Sequence, residues 1–321
     1  MKSRTTRRGL ELTELGLGTA QFGNLYREAT DDEVAAAVDA AWSAGVRYFD
    51  TAPHYGLGLS ERRLGALLAG KPRDTFVIST KVGRLLEPSP DTAGRADDEG
   101  FAVPADTKRV WDFSRDGILR SVEDSLTRTG LDRLDVLYLH DPDDHFEEAS
   151  TSGIGTLIEL RDEGVVGAVG VGINQSEMAA EFVRRTDLDL VMLAGRYTLL
   201  EQGAATELLP LALEHGVGIV AAGVYNSGLL STPAPSADAH YNYAQAPSRL
   251  VQRARDLAEV CARHGVQLPD AAVAFPLRHP AVVSVVLGSR NAAQATGNAE
   301  RYAADIPDAL WDELRERGLT S

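Results

Sequence analysis

The chain has 321 residues, 44% of them hydrophobic and 25% charged, which suits a globular protein with a sizeable core. A formal net charge of −15 argues against a general nucleic-acid partner and against an anionic membrane surface, so an anionic ligand needs a local basic pocket. Cys261 alone excludes a disulfide framework and a cysteine-based zinc site. With no apolar h-region and no run of bilayer length, the expected location is cytoplasmic and no membrane partner is expected.

Leu15 to Thr19 predicts a first short strand. Thr30-Asp31-Asp32-Glu33 is a capping box, opening a helix with Val34, Val38 and Ala41 on one side and Gly45 at its end. The β-branched and aromatic stretch Val46 to Phe49 reads as a buried strand closing on Asp50, and Pro53 and Gly56 mark the turn that follows. Ser60 predicts an N-cap for a helix with the stripe Leu64, Leu67 and Leu68. Phe76 to Lys81 is a third strand, again ending in a charge.

Helices over Asp116–Arg128, Gly155–Asp162, Glu177–Arg184 and Ala204–Glu214 then alternate with strands over Leu134–His140, Val166–Ile173, Leu188–Leu193 and Val217–Ala222. Helices over Leu250–Arg263 and Asp270–Leu277 precede a strand over Val282–Leu287, and helices over Asn291–Tyr302 and Ala309–Arg317 close the chain. Eight strands alternating with helices predict parallel strands with crossover helices. The expected fold is one α/β domain over 1–321, a closed (β/α)8 TIM barrel with long βα loops at its C-terminal mouth. An open doubly wound sheet is the alternative, but Gly16-Leu17-Gly18-Thr19-Ala20-Gln21 lacks the Gly-rich dinucleotide fingerprint.

Two connections exceed what a link requires. Arg84 to Arg115 carries Phe101, Trp111 and Phe113, and Ser231 to Ser248 carries Tyr241 and Tyr243. Both follow strands, so both are expected at the mouth, as a lid over a ligand or as disordered surface inserts.

In a barrel, Asp50, Lys81 and His140 end three consecutive strands, and Tyr55 lies just beyond the first of them. A phenol with a pKa near ~10 is a poor proton carrier at neutral pH. An adjacent ammonium favours the phenolate, and a carboxylate keeps that ammonium charged and fixed. A histidine can then hydrogen-bond the oxygen that gains or loses the proton. His140-Asp141-Pro142-Asp143-Asp144-His145 also admits a metal-ligand reading, though flexible loop carboxylates are commonly just solvated and no metal is expected.

Phe49-Asp50-Thr51-Ala52-x-x-Tyr55-Gly56, Ser79-Thr80-Lys81 and Tyr138-Leu139-His140 resemble the signature of the aldo-keto reductases, over nearly the whole chain. The resemblance implies Tyr55 as general acid/base, Lys81 and Asp50 as the groups that tune it, and His140 as the group that orients the substrate oxygen. It implies a nicotinamide cofactor, NADP or NAD, extended across the mouth without a Rossmann domain. Lys81-Val82-Gly83-Arg84-Leu85-Leu86, Asp112-Phe113-Ser114, His140-Asp141-Pro142-Asp143, Gly195 to Leu200 and Asn226-Ser227-Gly228-Leu229-Leu230 resemble the aldose dehydrogenase branch. Those enzymes oxidise C1 of a pyranose to the lactone, and pyridoxal 4-dehydrogenase lies nearby. By position, His54, Trp111 and Asp141 are the candidate contacts to the other sugar hydroxyls.

For the cofactor the resemblance implies Gly18, Thr19, Ala20 and Asp50 on the first two strands, and Asn174 for the nicotinamide carboxamide. It implies Asn226, Ser227 and Gly228 for the pyrophosphate, with Tyr225 the nearest aromatic for stacking. Gly288, Ser289, Arg290, Gln294 and Asn298 are implied for the adenine half, where an Arg before a helix N-terminus also makes physical sense as an anion site. Many relatives that hold a 2′-phosphate carry Lys at position 288 and Arg at position 294; here these are Gly288 and Gln294, which leaves NADP or NAD open. The competing functions are a general aldehyde or ketone reductase, a pyridoxal dehydrogenase, and a redox-sensing cofactor-binding protein like the channel-associated members of the family.

Overall fold

In the computed structural model, residues 1–236, 238–241 and 244–321 are described. An antiparallel pair, β1 (Ser3–Thr5) and β2 (Glu11–Thr13), precedes the barrel strands β3 (Leu15–Gly18), β4 (Tyr48–Asp50) and β5 (Val77–Val82). A second antiparallel pair, β6 (Arg84–Pro88) and β7 (Thr107–Trp111), leads to β8 (Val136–His140), β9 (Ala168–Ile173), β10 (Leu190–Ala194) and β11 (Gly218–Ala222). The short pair β12 (His240–Tyr241) and β13 (Ala244–Gln245) precedes β14 (Val282–Gly288). Strands β3, β4, β5, β8, β9, β10, β11 and β14 close into one parallel barrel with helices outside, the (β/α)8 architecture expected from the alternation.

Two apolar clusters hold the barrel. One lies between strands and helices and includes Phe49, Ile78, Leu137, Val171 and Val285. The other fills the barrel interior with Tyr48, Val136, Tyr138, Leu190, Met192, Val220 and Val286, and Leu12 of β2 packs into it. Tyr48 and Tyr138 are wholly buried and their hydroxyls are 3.1 Å apart, so the apolar filling ends in a polar layer. Side chains alternate along a strand, so the next inward positions after Tyr48 and Tyr138 are Asp50 and His140.

Several sequence expectations shift. The barrel strands at Val136, Ala168 and Leu190 start two residues after the predicted Leu134, Val166 and Leu188; those earlier residues are buried but precede the ladder. The predicted helix over Ala204–Glu214 is a 3-10 turn, Gly203–Ala205, then a helix over Leu208–His215. Leu268–Leu277 begins earlier than predicted because Pro269 fits its first turn. The β1–β2 pair was not foreseen, since three-residue strands leave too few alternations to read.

Ser60 is not an N-cap. The helix Leu59–Leu68 is entered through Gly58 in the left-handed conformation, with no side-chain cap. Ser60 instead donates to the Thr19 carbonyl at 2.7 Å and meets the Thr19 and Thr51 hydroxyls at 2.8 and 2.9 Å. It thereby ties the loop after β3 to the residue that follows Asp50. Ser60→Ala leaves buried groups without their partner and is expected to lower unfolding free energy by about 1–3 kcal/mol, read from the urea midpoint; an unchanged midpoint would contradict this role.

Candidate active site

Register sets the site. Gly18 pairs with Asp50, Asp50 with Ser79, Lys81 with Tyr138, and His140 with Gly172. The ends of β4, β5 and β8 therefore converge at the C-terminal mouth. A Cβ at Gly172 would lie 3.6 Å from the Lys81 Cε, so this position leaves the lysine stem its space.

Lys81 and Asp50 are each 3% exposed. The Lys81 Nζ donates to Asp50 Oδ2 at 2.7 Å and to the Thr51 carbonyl at 3.0 Å, and Ser79 Oγ donates to Asp50 Oδ1 at 2.7 Å. Burial opposes the Lys81 charge, but Asp50 outweighs it and the ammonium is held above its ordinary range. Nζ lies 4.8 Å from the centroid of the Tyr55 ring. Burial pushes the Tyr55 hydroxyl above the usual phenol range; Lys81 pulls it down and Asp50 pushes it up. The expectation of a net lowered Tyr55 pKa is thus corrected, because desolvation exceeds the pull of an ammonium already neutralised by Asp50.

His140 is buried, with its ring edge-on to Tyr55 at 6.1 Å. Its Nδ1 is buried without a partner among the described residues, and Nε2 is 3.6 Å from Asp141 Oδ2. Burial, with the positive charges of Arg84 and Lys81, holds it well below the usual histidine range. It is therefore a neutral imidazole at physiological pH.

The first long connection is a hairpin. Gly83, at φ 93, breaks β5 into β6, and a Cβ there would lie 2.2 Å from the Phe113 ring. Trp111 and Arg84 are paired across β6 and β7, with the guanidinium 5.1 Å from the indole, and Arg84 Nη2 donates to Asp141 at 2.6 Å. Residues 24–26 bond back to 100–102, so the buried Phe101 ring lies 6.2 Å from that of Tyr55 and 5.1 Å from that of His54. His54, Trp111 and Asp141 thus border the mouth as the sequence suggested. Arg84, though it stands in the Lys81–Leu86 run, and Arg109 were not singled out as site residues, because only the hairpin brings them to the barrel.

A second region of the mouth is a cleft of about 690 Å³ lined by Gln21, Asn174, Gly195, Arg196, Tyr225, Asn226, Ser227, Gly228 and Gly288, among others. Asn174, Tyr225, Asn226, Ser227, Gly228 and Gly288 were expected there; Gln21 and Arg196 were not. Two features suit an elongated polar ligand such as a dinucleotide. The Gln21 Oε1 is buried without a partner among the described residues, and a Cβ at Gly288 would come within 2.6 Å of the Gln21 side chain. The region fits a nicotinamide cofactor on both counts.

Several predicted cofactor residues, Asn226 of the lining among them, are tied into the protein around the cleft. Thr19 is fully buried and its hydroxyl bonds the Asp50 carbonyl at 2.8 Å. Asn226 accepts from Thr198 at 2.7 Å and donates to the Gly195 carbonyl. Asn298 donates to Ser289 Oγ at 3.1 Å and accepts from Tyr225 at 2.9 Å. Arg290 donates to the Leu25 and Arg27 carbonyls at 2.6 and 2.7 Å, while its own N–H donates to Gln294. Gly18 and Ala20 flank this layer on β3 and the turn after it. In the second long connection Tyr241 accepts from Arg196 at 3.3 Å; Tyr243 lies outside the described residues. Among the described residues no cluster of His, Cys, Asp or Glu could hold a metal, and no helix is long and apolar enough to cross a membrane.

Comparison with known proteins agrees with this geometry. A family profile described as "Aldo/keto reductase family" matches residues 14–317. The chain is 52% identical to a D-threo-aldose 1-dehydrogenase of Pseudomonas sp, covering 97% of this chain and 95% of that protein. It is 40% identical to a pyridoxal 4-dehydrogenase of Microbacterium luteolum, covering 98% and 96%. Among solved structures, an aldo-keto reductase of Bacillus halodurans in its holo form superposes with a TM-score of 0.77 at 26% identity, covering 100% of this chain and 97% of that one.

Asp50→Asn would leave the buried Lys81 ammonium without its counter-charge. Such a loss is expected to lower unfolding free energy by about 3–5 kcal/mol, measured by chemical denaturation. A change below about 1 kcal/mol would contradict the burial of this pair.

Proposed function

The chain belongs to the aldo/keto reductase family and is an oxidoreductase that depends on a nicotinamide cofactor, and on that premise we propose that it oxidises the C1 hydroxyl of an aldopyranose to a lactone. The substrate class we propose is that of L-fucose and the D-threo-aldoses. The observation that carries this reading is the mouth hairpin: Trp111, 38% exposed, beside the Arg84–Asp141 pair bonded at 2.6 Å, on the same rim as Lys81 and Tyr55. An aromatic face with a carboxylate and a guanidinium beside it suits a ring bearing several hydroxyls. The identity with a D-threo-aldose 1-dehydrogenase supports the same reading.

In this reading the Tyr55 oxygen takes the C1 hydroxyl proton, and the Lys81 ammonium stabilises the phenolate that accepts it. His140, neutral, orients the C1 oxygen. His54, Trp111 and Asp141 contact the remaining hydroxyls. A bound nicotinamide supplies the hydride acceptor. We assign Asn174 to its carboxamide, Tyr225, Ser227 and Gly228 to the middle of the cofactor, and Gly288 to the adenine end; Thr19, Asn226, Ser289, Arg290, Gln294 and Asn298 shape that channel. Arg290 has both terminal nitrogens on backbone carbonyls, which favours NAD over NADP.

The raised Tyr55 pKa sets a sign. As a base Tyr55 acts deprotonated, so oxidation should accelerate from pH ~7 to pH ~10, whereas the reverse reduction, which needs the neutral phenol, should not. Cofactor turnover would be followed with L-fucose, other free aldoses, pyridoxal and aliphatic aldehydes. Free aldoses should be oxidised, and Tyr55→Phe should lower that rate by about 10²–10⁴. Turnover of pyridoxal or simple aldehydes with no free aldose would overturn the sugar assignment. Fluorescence titration should show NADH binding at least as tightly as NADPH; clearly tighter NADPH would overturn the cofactor preference.

A further inference from the structure

His54 immediately precedes Tyr55, and its ring lies edge-on to His140 at 5.5 Å. Arg109, on β7, reaches it through two contacts. Nε donates to His54 Nδ1 at 2.6 Å, and Nη2 donates to the His54 carbonyl at 3.1 Å. The terminal nitrogens of the same guanidinium also donate to Asp97 at 2.6 and 3.2 Å, with the Arg109 and Asp97 side chains only 5% and 3% exposed. A guanidinium stays protonated at any ordinary pH, so its Nε always presents a hydrogen. His54 Nδ1 must then be an acceptor, and the single proton of the neutral imidazole resides on Nε2. Protonating Nδ1 would set one N–H against another.

The surrounding charges act in the same direction. Burial, together with Arg84, Arg109 and Lys81, brings the His54 pKa down to about 2. The other titratable groups around it are His140, Tyr55 and Asp97, the last already paired with Arg109. No hydrogen bond to Nε2 is made by any described residue, and that atom is not among the fully buried ones lacking a partner.

We propose that the Arg109–Asp97 pair is a positioning unit that locks His54 as the neutral Nε2–H tautomer, so that His54 donates a hydrogen bond to a substrate oxygen beside the reacting carbon. The identity of that oxygen rests on the proposed sugar substrate; the locked tautomer does not. The unit selects substrates that offer an acceptor at this position. It also keeps a second cation away from the carbon that becomes electron-poor as its hydride leaves.

Long-range proton–nitrogen NMR of the full chain reads the tautomer directly, with the His54 signal assigned by its loss in His54→Gln. The expected result is an Nε2–H imidazole that stays neutral from pH ~8 to pH ~5. A proton on Nδ1, or titration within that range, would overturn the proposal whether or not sugars prove to be substrates. Arg109→Met should free Nδ1 to carry the proton, so that the Nδ1–H tautomer becomes populated in the spectrum, while burial, Arg84 and Lys81 still hold the pKa down. In that variant kcat/KM for an aldose should fall about tenfold. An imidazole that stays wholly Nε2–H in the variant would show that Arg109 does not set the tautomer and would overturn the proposal. Should the variant fail to fold, the wild-type spectrum still decides.

Discussion

The site depends on one buried contact, the 2.7 Å bond between the Lys81 ammonium and the Asp50 carboxylate. Either charge alone would be costly at this depth, and each justifies the other. Once paired, with Ser79 and the Thr51 carbonyl engaging their remaining capacity, they form a fixed dipole at the top of an apolar barrel. Everything mechanistic follows from where that dipole points. Tyr55 lies over Lys81, and His140 enters from the next strand, neutral because it is buried and its surroundings are already positive. The barrel contributes rigidity: Asp50, Lys81 and His140 are held by strand register, whereas Tyr55 is held by a turn packed under Phe101.

The raised Tyr55 pKa is informative about direction of control. An ammonium fully paired with a carboxylate exerts a reduced field on its other neighbour, so burial prevails at Tyr55. The phenol is thus kept as an acid in the folded chain. Charge brought to the mouth with a cofactor would act on the same group, and a site poised in this way can serve as acid or base according to what is bound.

Much of this was legible in the sequence. The alternation of apolar strands and amphipathic helices gave the barrel, and polar residues at the ends of three strands gave Asp50, Lys81 and His140, because strand periodicity carries that information locally. Residues outside strand ends were harder. Arg84 and Arg109 reach the mouth through a hairpin within a stretch rich in Pro, Asp and Gly, and the part of that stretch around Phe101 is bonded to residues 24–26, far away along the chain. Ser60 looked like a cap because a serine near a helix start usually is one, but burial against Thr19 and Thr51 gave it a tertiary role. Arg290 looked like a free anion ligand, and only the fold reveals the Leu25 and Arg27 carbonyls that engage it.

The most direct test is the pH dependence of single-turnover hydride transfer in the wild-type chain and in Lys81→Met, with cofactor binding as the check on folding. If the ammonium beside Tyr55 sets its proton affinity, the limb governing oxidation moves to higher pH in the variant and the rate near neutrality collapses. A limb at the same pH in both proteins would contradict the account.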